Sequence, residues 1–251
     1  YGQEVIFGFS MLIVLTMLWR LVRELEPDAR LTLIGTAVII FVFRALPGVG
    51  PGVSWWMIDV LKFDESFLAK LDSLSSWLAL LGLFVFRRFM GERSIYYILG
   101  VLTVVGTLLS LPILGMYHGM HIWTAAHTGG VVDARFIAWV DTALDSPLGQ
   151  VAMVPMLAWV AKSAPRNLKA TYFAVMASFT NLALSMKSLG TKYLNQMYEV
   201  KRAVKDPVSG AIKNAEDYSQ LGELLLIVTV LSFVIPMATI LILRMMRMRS
   251  A

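Results

Sequence analysis

Apolar residues in this chain fall into long continuous runs instead of alternating with polar ones. Seven runs stand out, near 4–22, 31–47, 66–86, 95–117, 136–162, 168–191 and 222–246. Crossing about 30 Å of hydrocarbon takes roughly 20 helical residues, so each run has close to the length of a membrane span. Continuity selects helices over a barrel, whose strands alternate lipid-facing and lumen-facing side chains. In lipid every backbone polar group needs a partner within reach, and a helix supplies its own. The pattern predicts an all-α, polytopic transmembrane bundle of about seven spans. There is no internal repeat and no low-complexity tract.

The polar positions between the runs set an orientation. Every second connection is basic: Arg20, Arg23 and Arg30; Arg87, Arg88 and Arg93; Lys162, Arg166 and Lys169; then Arg244, Arg247 and Arg249. The alternate connections hold Lys62 and Lys70, then no Lys or Arg over 118–132, then a mixed-charge stretch from Tyr198 to Asp217. The positive-inside rule puts the C-terminus in the cytoplasm. The stretch 192–221, polar and carrying "DPVSG", reads as a partly mobile turn on the other side. Seven spans divide unequally for a carrier built of repeated halves. The expected division is 1–30 as the last helix of an N-terminal bundle plus linker, and 31–251 as a C-terminal six-helix bundle. An intrinsically seven-helix protein is the plainer alternative.

Composition agrees with a bilayer. Of the 251 residues, 57% are hydrophobic and 16% charged, with a mean hydropathy of +0.69, too apolar for an ordinary soluble domain. A formal charge of +5 raises nucleic acid as a partner, but the basic residues sit between apolar runs, not along one polar face, so no nucleic acid is expected. With no cysteine, thiolate metal sites and cysteine nucleophiles are excluded. Phosphate-binding glycine loops, zinc motifs and nucleophile elbows are absent, so neither enzymatic chemistry nor a cofactor is expected. Tyr1 and the lack of a basic leader make the first run a span, not a signal peptide, and suggest a fragment.

Charges inside the runs are the candidate chemistry, because each costs roughly 2.5 to 3.5 kcal/mol to insert. At about 1.5 Å per residue from the basic end, Arg44 lies roughly 20 Å deep and Asp72 roughly 22 Å. Asp145 and Lys187 come out at roughly 25 and 27 Å. All four fall in the outer half of the membrane, with Asp141 one turn from Asp145. Arg44 and Asp72, level on successive spans, are candidates for an ion pair facing the bundle interior. Smaller features follow. In "DSPLGQ", Ser146 or Asp145 caps a new helix with Pro147 at its first position, or else the span breaks there. "PGVGPG" ends the second span, and Trp55 and Trp56 after it suit the interfacial belt. His118, His121 and His127 share one connection without a carboxylate partner, so no metal is expected. Trp139, Tyr172 and Phe179 read as packing residues before stacking residues.

The most particular text is "FIAWVDTALDSPLGQVAMVPMLAWVAKSAPRNLKATYFAVMASFTNLALSMKSLGTKYL", taken with "ALPGVGPGVSWWMIDVLKFDESFLAKL". It resembles the C-terminal half of the folate-biopterin transporter family, a branch of the major facilitator superfamily. Pro47 matches the proline that closes the first helix of that half, and Leu61 and Phe63 its Leu-x-Phe segment. Asp141 and Pro155 match an Asp ahead of a Met-Pro or Val-Pro pair. Ala170, Thr171, Phe173, Ala174 and Asn181 match an Ala-Thr-x-Phe-Ala opening that runs on to an Asn. The resemblance implies a twelve-helix parent of which this chain supplies the last seven, working by alternating access.

It also implies a substrate class. A pterin presents adjacent N–H donors that Asp72, Asp141 or Asp145 can accept in parallel, and an acidic tail that Arg44 or Lys187 can hold. An aspartate in a dry cavity also suits proton coupling. Asn181 faces either the substrate or another helix. The expected partners are the bilayer, a flat anionic small molecule, and a missing N-terminal bundle or other membrane subunits. Where family members carry an acid before Ala-Thr this chain has Lys169. That exchange points to the rival reading, a non-transporting scaffold or assembly subunit of a larger membrane complex.

Overall fold

A computed structural model describes residues 2–149, 151, 153–163, 169–205 and 212–246. The apolar runs form α1 (Gly2–Arg23), α2 (Pro27–Ala45), α4 (Glu65–Val85), α6 (Ile95–Tyr117), α8 (Ala134–Asp145) with α9 (Met153–Ser163), α10 (Lys169–Met197) and α11 (Leu221–Met245). Short helices α3 (Gly52–Asp59), α5 (Arg87–Glu92) and α7 (Met120–His127) lie in the connections, and a two-stranded antiparallel hairpin, β1 (Val204–Lys205) and β2 (Ile212–Asn214), precedes α11. Among the described residues α1, α4, α6 and α11 are each long and apolar enough to cross a membrane. The protein is an all-α transmembrane bundle. Its helix starts are set locally: the carboxylate of Asp64 accepts from the Phe67 amide at 2.8 Å and that of Asp133 from the Phe136 amide at 2.8 Å, satisfying amides that a first turn leaves bare.

The run expected as one span over 136–162 is broken. Asp145 ends α8, residues Ser146–Leu148 form a 3-10 turn, and α9 starts at Met153. Neither Asp145 nor Ser146 caps a new helix with its side chain. Pro147 has no amide to continue α8 and crowds the preceding turn. The break is fixed by α4: the Ser146 hydroxyl donates to Ser75 Oγ at 2.9 Å. A Cβ on Gly82 would come within 2.0 Å of the Pro147 carbonyl oxygen. Only glycine allows that approach.

Packing divides into two ends. At one, Leu21 and Val22 meet Leu33 and Ile39 of α2, Ile98 of α6, Tyr172 and Met176 of α10 and Leu243 of α11, so the described Arg23 and Arg244, next to Val22 and Leu243 in the chain, belong to that end. At the other, Trp56, Met116, Ile137, Leu221 and Leu225 pack together. Trp56 is therefore not an interfacial belt residue. It is 4% exposed and lies 5.9 Å, centroid to centroid, from Tyr117, because α3 folds back under the helix ends; Trp55 stays half-buried.

The stretch read as a mobile turn over 192–221 is tied down where it is described. Helix α10 runs on to Met197. Arg202 makes a two-pronged bond to Asp59 at 3.0 and 3.1 Å, and the Tyr218 hydroxyl donates to the same carboxylate. Tyr117 donates to the carbonyls of Tyr218 and Ser219 at 3.0 Å each. The "DPVSG" segment at 206–210 lies outside the described residues. On α1, Glu4 accepts from Lys192 at 2.6 Å and Tyr193 at 3.1 Å, joining the first helix to α10.

Candidate functional site

Helical periodicity brings two of the candidate cations to the wall of one cavity, Arg44 half-buried and Lys187 exposed. On α2 the buried Leu33, Ala37 and Ile40 define a stripe that Arg44 continues one turn on. On α10 the buried Met176, Thr180 and Ala183 define a stripe that Lys187 continues. The stripes converge on a cavity of about 280 Å³ between α2, α6, α9 and α10, with Arg44 and Lys187 both in its wall. The rest of the wall is apolar: Ile40, Phe43, Ile95 and Leu99, then Met153, Met156 and Leu184, with Gly149 from the broken span. Arg44 Nη1 lies 4.0 Å from Met156 Sδ, and its buried Nε has no hydrogen-bond partner among the described residues. Among the described residues no carboxylate lines this cavity. The cavity wall thus carries two cations, a half-buried arginine and an exposed lysine, beside an apolar surface, an arrangement chemically suited to an anion with a flat or apolar body.

The carboxylates lie elsewhere. Asp141 lines a separate cavity of about 250 Å³ between α6, α7 and α8, among Leu109, Val140 and other apolar side chains, and its Oδ1 is buried without a partner. Asp145 follows one turn on and is exposed. Asp72 is exposed on α4 and, among the described residues, forms no ion pair. The expected Arg44–Asp72 pair is thus not made. Equal depth places two residues at one level, but which way α4 turns its polar face is decided by its packing on the broken span. Asn181 is exposed on α10, outside both cavities.

Aromatic candidates are packing residues. Tyr172 is fully buried, Phe179 stacks on Phe41 at 4.9 Å, and Trp139 sets its edge on Phe67 at 6.1 Å. His127 Nδ1 bonds the Trp123 carbonyl at 2.8 Å and His118 sits edge-on to Tyr117, with ring centroids 5.2 Å apart. Among the described residues no group of His, Cys, Asp or Glu is assembled to hold a metal. Sequence reasoning missed Met153 and Met156 in the cavity wall. Their spacing in "MVPM", i and i+3 on one helix face, is the signal that marked them.

Fold and cavity together define a polytopic membrane protein with a cation-lined space between its helices. Residues 10–250 match the model of the BT1 family, and the chain belongs to that family. It is similar to a folate-biopterin transporter of Synechocystis sp., at 26% identity over 167 residues, which are 66% of this chain and 31% of that relative. The match thus spans about a third of the relative's length. No solved structure matches the chain.

Proposed function

We propose that the chain is the C-terminal portion of a secondary carrier that moves a pterin- or folate-like molecule, or another flat anion, by alternating access. The observation that carries this reading is the cavity that pairs Arg44 with Lys187 and, among the described residues, holds no acid. Family membership and the Synechocystis relative support it. In this reading α1 is the last helix of a preceding bundle, residues 31–251 are the second bundle, and the basic connections face the cytoplasm. Arg44 grips a carboxylate through its planar fork and Lys187 supplies a second, point-like charge. Asp141, in its apolar pocket, is the candidate coupling group. Asp72, Asp145 and Asn181 reach the substrate only if the bundle rearranges during the cycle.

The test is uptake of radiolabelled folate by the full-length carrier in cells, with membrane abundance measured beside it. Arg44→Lys is expected to leave abundance normal and lower uptake at least tenfold, about 1.4 kcal/mol, because the charge stays and the bidentate geometry goes. Lys187→Met is expected to act in the same direction. If both variants transport normally, the cavity is not the substrate site.

A further inference from the structure

We propose that the groove between α6 and α11 holds one chain of an anionic phospholipid, with the lipid's phosphate on Arg244. Helices α6 and α11 run antiparallel and pack closely. Gly100 faces Ile240 across the pair, where a Cβ would make ordinary contact with Ile240 Cδ1 at 3.7 Å. With no side chain at Gly100, a groove of about 360 Å³ opens along the pair. It runs from Arg244 down past Ile240 to Met237 and Val104. Seven residues separate Arg244 from Met237, about 10 Å of helix.

The two ends of the groove differ in chemistry. Its length is apolar, lined by Val101, Val104, Val105, Met237 and Ile240, and suits methylenes through van der Waals packing, since an acyl chain is already in hydrocarbon. Its mouth is cationic. Arg244 lies in the last turn of α11, is exposed, and makes no ion pair with a described residue. Arg93 stands beside the same mouth with its guanidinium 5.3 Å from the Tyr97 ring. The nearby acid, Glu92, is engaged by Arg88 at 2.8 Å. Charge complementarity thus selects the occupant: an acyl tail in the groove and a phosphate at the mouth, where helix ends meet the headgroups. A zwitterionic lipid fills the groove equally well but gains less at Arg244.

Native mass spectrometry of the full chain, released from mixed micelles holding equal phosphatidylglycerol and phosphatidylcholine, reads this directly. The expected result is preferential retention of phosphatidylglycerol. Arg244→Gln should lower that preference roughly fivefold, the equivalent of about 1 kcal/mol for one arginine near an anionic surface. Val104→Trp keeps every charge but fills the groove, and should abolish retention of the bound lipid. Both variants leave the buried core alone, and a circular dichroism spectrum verifies folding; should either lose helicity, Arg93→Gln and Val101→Phe test the mouth and the groove in their place. Equal retention of the two lipids overturns the proposal. So does unchanged preference in Arg244→Gln, and so does retention in Val104→Trp, which would mean surface attraction without a groove.

Discussion

The Gly48 amide donates to Thr191 Oγ1 at 2.9 Å, across 143 residues of chain. Around that bond the whole "PGVGPG" segment seats on α10: a Cβ on Gly190 would lie 3.2 Å from Pro47 Cβ, and Asn195 Nδ2 donates to the Val49 carbonyl at 3.1 Å. Gly50 has φ +79, a conformation only glycine takes without strain, and a Cβ there would also meet Asn195 at 2.9 Å. The turn that ends α2 is therefore a docked element, and it holds Arg44 of α2 and Lys187 of α10 in one wall. Thr191→Val removes the acceptor while keeping the shape. It should cost roughly 1 kcal/mol, read as a melting point about 2–4 °C lower in detergent, whereas Thr191→Ser should behave as the parent does.

The broken span rests on glycine in the same way. Gly82→Ala puts a methyl group into the Pro147 backbone, and neither partner is a flexible tip that swings aside. Loss of about 3 kcal/mol or more is expected, seen as low yield of folded protein by gel filtration. Gly91→Ala, with open space around it, is the matched control and should be silent.

Arg202 holds the Asp59 carboxyl below the usual carboxylate range, chiefly through its hydrogen bonds, with a further bond from Tyr218. A carboxyl lower in the folded state than in the unfolded one, where it titrates near 3.9, contributes stability above that pH. The contribution is lost as pH falls through the folded value. The hairpin should thus stay docked at pH 5 and come away only below about pH 4. Spin labels on Ser54→Cys and Ala215→Cys in this cysteine-free chain report it as a broadened distance distribution. Adding Asp59→Asn should broaden the distribution at pH 7 as well.

Alternating basic connections set the sidedness expected of the carrier. In intact cells an impermeant maleimide should label Thr128→Cys and spare Gly91→Cys. The reverse pattern would invert the proposed topology.

Half of a carrier's cavity wall comes from its other bundle. This chain alone should therefore bind a pterin no better than millimolar by equilibrium dialysis. Saturable micromolar binding would mean that these helices form a complete site.

Hydrophobic runs, caps and charge placement are local properties, and the sequence alone determined what depends on them. The spans at 95–117 and 222–246 lie where the apolar runs do, within a residue, because the transfer energy of a run into hydrocarbon depends on its own side chains. Family membership was legible for a similar reason: the spacing of Pro47, Asp141, Pro155 and the Ala170–Ala174 segment is written along the chain. Other features were settled only when distant segments met. Whether "DSPLGQ" starts a helix or breaks one depended on Gly82 lying under Pro147. Whether Trp56 faces lipid or core depended on α3 folding beneath α6 and α11. Depth counting put Arg44, Asp72, Asp145 and Lys187 at similar levels, yet only Arg44 and Lys187 share a cavity. Depth is a coordinate along the membrane normal, and a sequence supplies it by counting residues. Rotation about each helix axis is set by the neighbours that fill its grooves, and those neighbours come together only in the tertiary structure.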